Sequence, residues 1–188
     1  MVRLFVALSP CPEALAEVSA AVEPHVEQWP GLRWTAPETW HLTLAFLGEV
    51  PETALRGLRT RLARAARRYP PMTLAFQGAG AFPSARRARV VWLGVEGGGA
   101  VLSRLAASVA AAGRRAGAAY EEKKPYHPHL TLARARPREG LDVTPLTAVL
   151  KEFAGTSWRA DAVHLMRSHP GPKVRYEPVG CWPLGGHD

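Results

Sequence analysis

The chain of 188 residues has no asparagine and no isoleucine, and it holds only four lysines and two cysteines. Cys11 and Cys181 stand near opposite ends and could pair, but in a reducing compartment two buried or idle thiols are expected, and no paired-cysteine zinc site is encoded. No apolar stretch approaches the length that crosses a bilayer, so no membrane association is expected. The apolar part of MVRLFVALSP is too short for a secretory signal and reads as a strand, which predicts a cytoplasmic protein. No low-complexity segment or linker is visible, and residues 1–188 read as a single domain. The missing Asn and Ile, with abundant Ala, Arg, Gly and Pro, describe the coding genome and have no bearing on activity.

What is present is positive charge. The formal net charge is +8, almost all from arginine. A basic surface draws polyanions, which raises nucleic acid or a phosphorylated metabolite as a partner.

The hydrophobic pattern predicts a strand at Val2–Leu8 and then a helix with Leu15, Val18, Val22 and Val26 as its stripe, started by Ser9 and Pro10. After a short extended segment at Leu32–Trp34, a strand over 41–47 stops at Gly48. A second helix follows Pro51, with Leu55, Leu58, Leu62 and Ala66 inward and Arg56, Arg59, Arg64 and Arg67 on a solvated face. Strands are predicted at Met72–Phe82, bulged near Gly78 and Gly80, and at Arg89–Val95. A helix over 100–116 and a charged loop over 117–128 lead to a further strand from His129. Thr144 caps a fourth helix whose stripe is Leu146, Val149, Leu150 and Phe153. Terminal strands at 158–167 and 174–182 flank Gly171 and Pro172. The late hairpins favour antiparallel pairing, so the class is α+β.

One pentapeptide occurs twice: HLTLA at 41–45 and at 129–133. Side chains two apart on a strand share a face, so His41 and Thr43 point one way while Leu42 and Leu44 point the other. His129 and Thr131 repeat this against Leu130 and Leu132. Two strands that each bury leucines and present an imidazole beside a hydroxyl suggest two half-sites on one cleft. A neutral imidazole can accept a proton from water while a protonated one gives a proton to a leaving oxygen. Hydrolysis of a phosphodiester needs both acts, on opposite sides of phosphorus. The threonine hydroxyls would hold the non-bridging oxygens where charge gathers. The residues alone permit either histidine to be the acid.

HLTLAFLG at 41–48 and PYHPHLTLAR at 125–134 resemble the two HxTx motifs of the two-histidine (2H) phosphoesterase superfamily. RLFVAL at 3–8, Trp40, GAFPSARRARVVWLGV at 80–95 and the strand after MRS at 166–168 resemble one branch, the RNA 2′,3′-cyclic phosphodiesterases formerly called 2′-5′ RNA ligases. The resemblance implies a bilobal, duplicated fold with pseudo-two-fold symmetry, in which two antiparallel sheets with outer helices surround a central cleft. It implies hydrolysis of the terminal 2′,3′-cyclic phosphate of RNA to a 2′-phosphomonoester, with 2′-5′ ligation in reverse in some members. It makes His41 the proton donor, His129 the proton acceptor, and Thr43 and Thr131 the phosphate-binding pair. The expected partner is an RNA end bearing a cyclic phosphate; no cofactor or metal is expected, and the chain is expected to be a monomer.

Around the motifs, Arg134 falls on the wrong face by strict alternation; a bulge or the strand end could turn its guanidinium to phosphate, and otherwise it is a surface arginine. Tyr126 could stack on a base or pack. Phe46 is expected in the core. His127 and His129 form an H-x-H pair, a weak metal signal; His25, His164, His169 and His187 read as surface or structural. Two other readings compete: a small nucleotide substrate such as ADP-ribose cyclic phosphate, and an RNA-end-binding module without turnover.

Overall fold

The computed structural model describes residues 1–118, 125–171 and 173–185, and within them nine strands and four helices. Pro172, His187 and part of the predicted 117–128 loop lie outside the described residues. In order the elements are β1 (Val2–Leu8), α1 (Pro12–Val22), β2 (Leu32–Trp34), β3 (Leu42–Val50), α2 (Leu55–Ala66), β4 (Met72–Phe82), β5 (Val90–Gly97), α3 (Gly99–Arg115), β6 (His129–Ala135), α4 (Thr144–Leu150), β7 (Trp158–Ala160), β8 (Ala162–His169) and β9 (Arg175–Pro183).

They form two antiparallel sheets, ordered β3-β1-β8-β9 and β2-β6-β5-β4-β7. The α+β class holds, and each sheet carries one of the repeated motifs. The halves exchange strands: β2, from the amino-terminal part, pairs with β6, and the carboxy-terminal β8 and β9 complete the sheet of β1 and β3. The predicted strand at 158–167 is two strands, because the chain crosses from one sheet to the other at Asp161, whose carbonyl accepts from Leu184 N.

The four motif leucines, Leu42, Leu44, Leu130 and Leu132, are all buried in one continuous core. Each contributes roughly 1.5–3 kcal/mol by leaving water, so the core fixes which way the motif side chains face. Other expectations need correction at element ends. Val26 is exposed, because α1 stops at Val22 and Pro24 sits in a following 3-10 turn; Pro12, preceded by Cys11, starts the helix. β3 does not stop at Gly48, whose positive φ of 66° lets the strand run on to Val50. Thr144 is the first residue of α4 and not its cap; the cap position is Val143, and the Asp142 carboxylate just before it accepts from the backbone N and the Oγ1 of Thr144. Val149 is 59% exposed, since the seven-residue helix packs on Leu146, Thr147 and Leu150. The predicted bulge in β4 is present between Phe76 and Ala79, with Gly78 at a φ of 68°. Among the described residues no helix is long and apolar enough to cross a membrane, and both cysteines are free thiols.

Candidate active site

The two motifs meet in one cleft of about 590 Å³, lined by His41 and Thr43 from one sheet and His129, Thr131 and Arg134 from the other, with Tyr126 alongside. Sequence reasoning named all six.

Each motif breaks strand alternation at the same place. The pairing of β3 with β1 skips Leu44, and the pairing of β6 with β5 skips Leu132. A skipped residue moves everything after it to the other face. Hence Arg134, five residues past His129, returns to the cleft and supplies the guanidinium that strict alternation denied it. The equivalent position in the first motif is Phe46. The core expectation for it is wrong for the same reason: the skip turns Phe46 outward, where it is 46% exposed on the cleft wall. One half-site therefore ends in a cation and the other in an aromatic ring.

The histidines are held alike. His41 Nδ1 lies 2.7 Å from the Thr39 carbonyl and His129 Nδ1 lies 2.6 Å from the His127 carbonyl. A carbonyl only accepts, so both Nδ1 atoms carry hydrogen and the neutral rings keep their lone pair on Nε2. Aromatic rings from neighbouring strands enclose each imidazole. Phe5 and Tyr176 stand at 4.6 and 5.2 Å from His41; Phe82 stands at 5.0 Å from His129. Burial pushes the His41 pKa down to about 4; the Thr39 carbonyl opposes this, and charge on His129 adds to it. In the absence of an anion His41 is thus neutral at pH 7.

The two half-sites also brace one another. Tyr126, from the loop before the second motif, donates its hydroxyl to the Thr43 carbonyl at 3.0 Å. In return, Trp40 Nε1 donates to Thr35 Oγ1 at 2.8 Å, and that hydroxyl is shared between the carbonyls of Thr131 (2.9 Å) and Leu132 (2.8 Å). The Leu132 carbonyl also accepts from Thr35 N. Thr35 therefore satisfies the backbone at the skipped residue, which a buried strand would otherwise leave without partners. Sequence reasoning missed Thr35 and Tyr176; nothing local in either segment signals a partner about a hundred residues away.

Of the other described histidines, His127 also lines the cleft, and the rest are placed elsewhere. His169 bonds Glu177 at 2.9 Å, His25 lies in the 3-10 turn after α1, and His164 sits half-buried on β8. His127 packs against Trp92 at 4.7 Å, and its ring is 6.1 Å from that of His129. Among the described residues no three His, Cys, Asp or Glu side chains gather into a metal-binding group.

Paired imidazole and hydroxyl half-sites on two antiparallel sheets, opening on one cleft, define a protein of the two-histidine phosphoesterase class. The chain belongs to the 2′-5′ RNA ligase superfamily, whose family model matches residues 21–172. Among curated relatives, one named RNA 2′,3′-cyclic phosphodiesterase from Archaeoglobus fulgidus is 35% identical over 71% of this chain and 73% of its own. Another of the same name from Escherichia coli is 34% identical over 81% of this chain and 80% of its own. Among solved structures, E. coli LigT complexed with 3′-AMP superposes with a TM-score of 0.78 at 28% identity, covering 98% of this chain and 99% of that one.

Proposed function

We propose that the protein hydrolyses the 2′,3′-cyclic phosphate at RNA ends to a 2′-phosphomonoester, using two histidines for both proton transfers and no metal. His129 takes a proton from water as the water oxygen attacks phosphorus. The bond from phosphorus to the 3′ oxygen breaks, and His41 gives that oxygen its proton. Thr43, Thr131 and Arg134 hold the non-bridging oxygens as charge gathers on them. The products are a 2′-phosphate and a 3′ hydroxyl, and one proton has moved on each side. With a 5′ hydroxyl in place of water, the same steps in the same direction would join a 2′-5′ linkage: the 5′ oxygen bonds phosphorus as the bond to the 3′ oxygen breaks. The relatives' shared name supports the substrate.

The observation that carries this reading is the convergence of His41, Thr43, His129, Thr131 and Arg134 on a single cleft, the first four by strand alternation and Arg134 by the register skip at Leu132. The assignment of His41 as acid meets a physical requirement, because a ring with a pKa of about 4 holds no proton at neutral pH. The substrate's own phosphate supplies what is missing. A negative charge ~4 Å away favours the imidazolium by about 4 kcal/mol at an effective dielectric of ~20, so His41 becomes an acid only when there is a phosphate to protonate.

The test is an oligonucleotide ending in a 2′,3′-cyclic phosphate, incubated with excess EDTA, its product read by phosphorus NMR. A 2′-phosphate is expected, and His41→Ala and His129→Ala each lose it. A 3′-phosphate, or activity that vanishes on chelation, would overturn the reading. Binding of the same RNA without turnover would return the protein to a pure end-binding module.

A further inference from the structure

Between Glu52 and Glu121 the sequence contains one carboxylate, Glu96, and twelve arginines. Half of these lie on α2 or just after it, three follow the β4 strand, and three belong to α3; neither helix contains an acidic residue. The folded chain concentrates this charge in a groove of about 360 Å³ between α2 and α3, lined by Arg61, Arg64, Arg68 and Arg115 over a floor of alanines. Among the described residues no carboxylate pairs with any of the four. Arg61 and Arg64 are three apart on α2, where a like-charge pair costs a helix roughly 0.2–0.5 kcal/mol, and Arg68 follows just past its end. The row named from sequence shares only Arg64 with the groove; of its other members Arg59 is spent on the β9 backbone, donating to the Val179 carbonyl at 2.6 Å.

The groove is next to the cleft. α3 forms the wall between them: Ser103, Ala106, Ala110 and Arg114 face the cleft, Ala111 and Arg115 face the groove, and Ala107 lines both. A helix is ~10 Å across, which a few nucleotides of single strand can span. Around Ala107, which lines both, the ridge is made of the small side chains of Ala106, Ala110 and Ala111.

We infer that the arginine groove between α2 and α3 holds the phosphodiester backbone of RNA upstream of the end bound in the cleft. This rests on the proposed RNA reading and adds where the rest of the strand lies. Guanidinium forks suit phosphate; the floor is alanine apart from Ser108, whose hydroxyl is paired with that of Tyr69 at 2.6 Å, so the grip is on the backbone and carries little sequence preference.

The experiment compares a 2′,3′-cyclic mononucleotide with an octanucleotide carrying the same terminus, over a range of salt. The protein is expected to turn over the octanucleotide with a kcat/KM at least ~10-fold higher at low salt, an advantage that fades as counterions compete. In the variant Arg61→Gln, Arg64→Gln, Arg68→Gln, Arg115→Gln that advantage disappears through KM, mononucleotide kinetics stay as they were, and the salt slope falls by ~2–3, at ~0.7 per phosphate contact. The matching four-lysine variant keeps most of the advantage, which separates charge from folding. An octanucleotide advantage that survives the glutamine variant, or equal loss on both substrates, overturns the inference. So does loss of binding to anionic phospholipid vesicles in that variant with octanucleotide kinetics intact. A wild type that turns over the mononucleotide with no octanucleotide advantage sinks the groove alone, whereas one that turns over neither substrate sinks the cyclic-phosphate reading beneath it.

Discussion

Filling the cleft with an anion should change the acidity of His41 by orders of magnitude. Burial holds its pKa at about 4 in the free protein. A single negative charge ~4 Å from the ring, at an effective dielectric of ~20, favours the charged form by about 4 kcal/mol. At 1.36 kcal/mol for a tenfold change in proton affinity that is about a thousandfold, which carries the pKa to ~7. Sulfate is a suitable probe because its charge does not titrate between pH 4 and 9. Nitrogen-15 chemical shifts of the His41 ring, followed across that range with and without sulfate, read the change directly. The sign is fixed by linkage: the bound state holds the extra proton, so sulfate affinity rises as pH falls from ~7 towards 4, by up to tenfold per pH unit. A His41 ring that titrates near 6.5 in the free protein, or one that sulfate leaves unmoved, would refute the reasoning.

The same depressed pKa affects stability. The unfolded chain takes up a proton on His41 at 6.5 and the folded one only near 4, so stability falls with pH through that window, by ~3 kcal/mol from this group; urea unfolding at pH 7 and pH 4 should show a smaller loss for His41→Gln than for wild type. Thr35→Ala removes the acceptor of Trp40 Nε1 and strips the Thr131 and Leu132 carbonyls of a donor, which should cost ~1–3 kcal/mol in unfolding and lower kcat more than it raises KM, with Thr35→Ser restoring both. Arg134→Lys keeps the charge but loses the fork, so kcat/KM for the cyclic phosphate should fall ~10-fold or more while thermal unfolding stays put. Gly94→Ala would place a methyl 2.6 Å from the Gln77 carbonyl, opposite His129 in the sheet, and a lowered melting temperature with weakened activity is the expected result.

The repeated pentapeptide was legible because strand periodicity is short-range: a period of two and four leucines suffice to say which side chains are hidden. The cleft followed from that, and four of its polar groups with it. Phe46 was misplaced because the skip at Leu44 carries no glycine or proline to announce it. Arg134 was saved by the same irregularity, which appears only once β6 is paired with β5. Thr35, Trp40 and Tyr126 bind across distant segments, and no local pattern encodes such a brace. Tyr176 reaches His41 because β9 joins the sheet of β1 through β8, a connection set by topology. Val26 failed because a stripe extrapolated by one turn outlived α1, and Val149 because the short α4 buries Leu146, Thr147 and Leu150 and turns Val149 to solvent.

The division of labour between the two imidazoles is open to a direct measurement. A cyclic substrate with sulfur in place of the 3′ bridging oxygen leaves without needing a proton, so it bypasses the acid and still requires the base. His41→Ala should lose about 10²–10⁴ in kcat on the oxygen substrate and recover most of it on the sulfur one, while His129→Ala stays inactive on both. Recovery by the His129 variant instead, or by neither, would contradict the account.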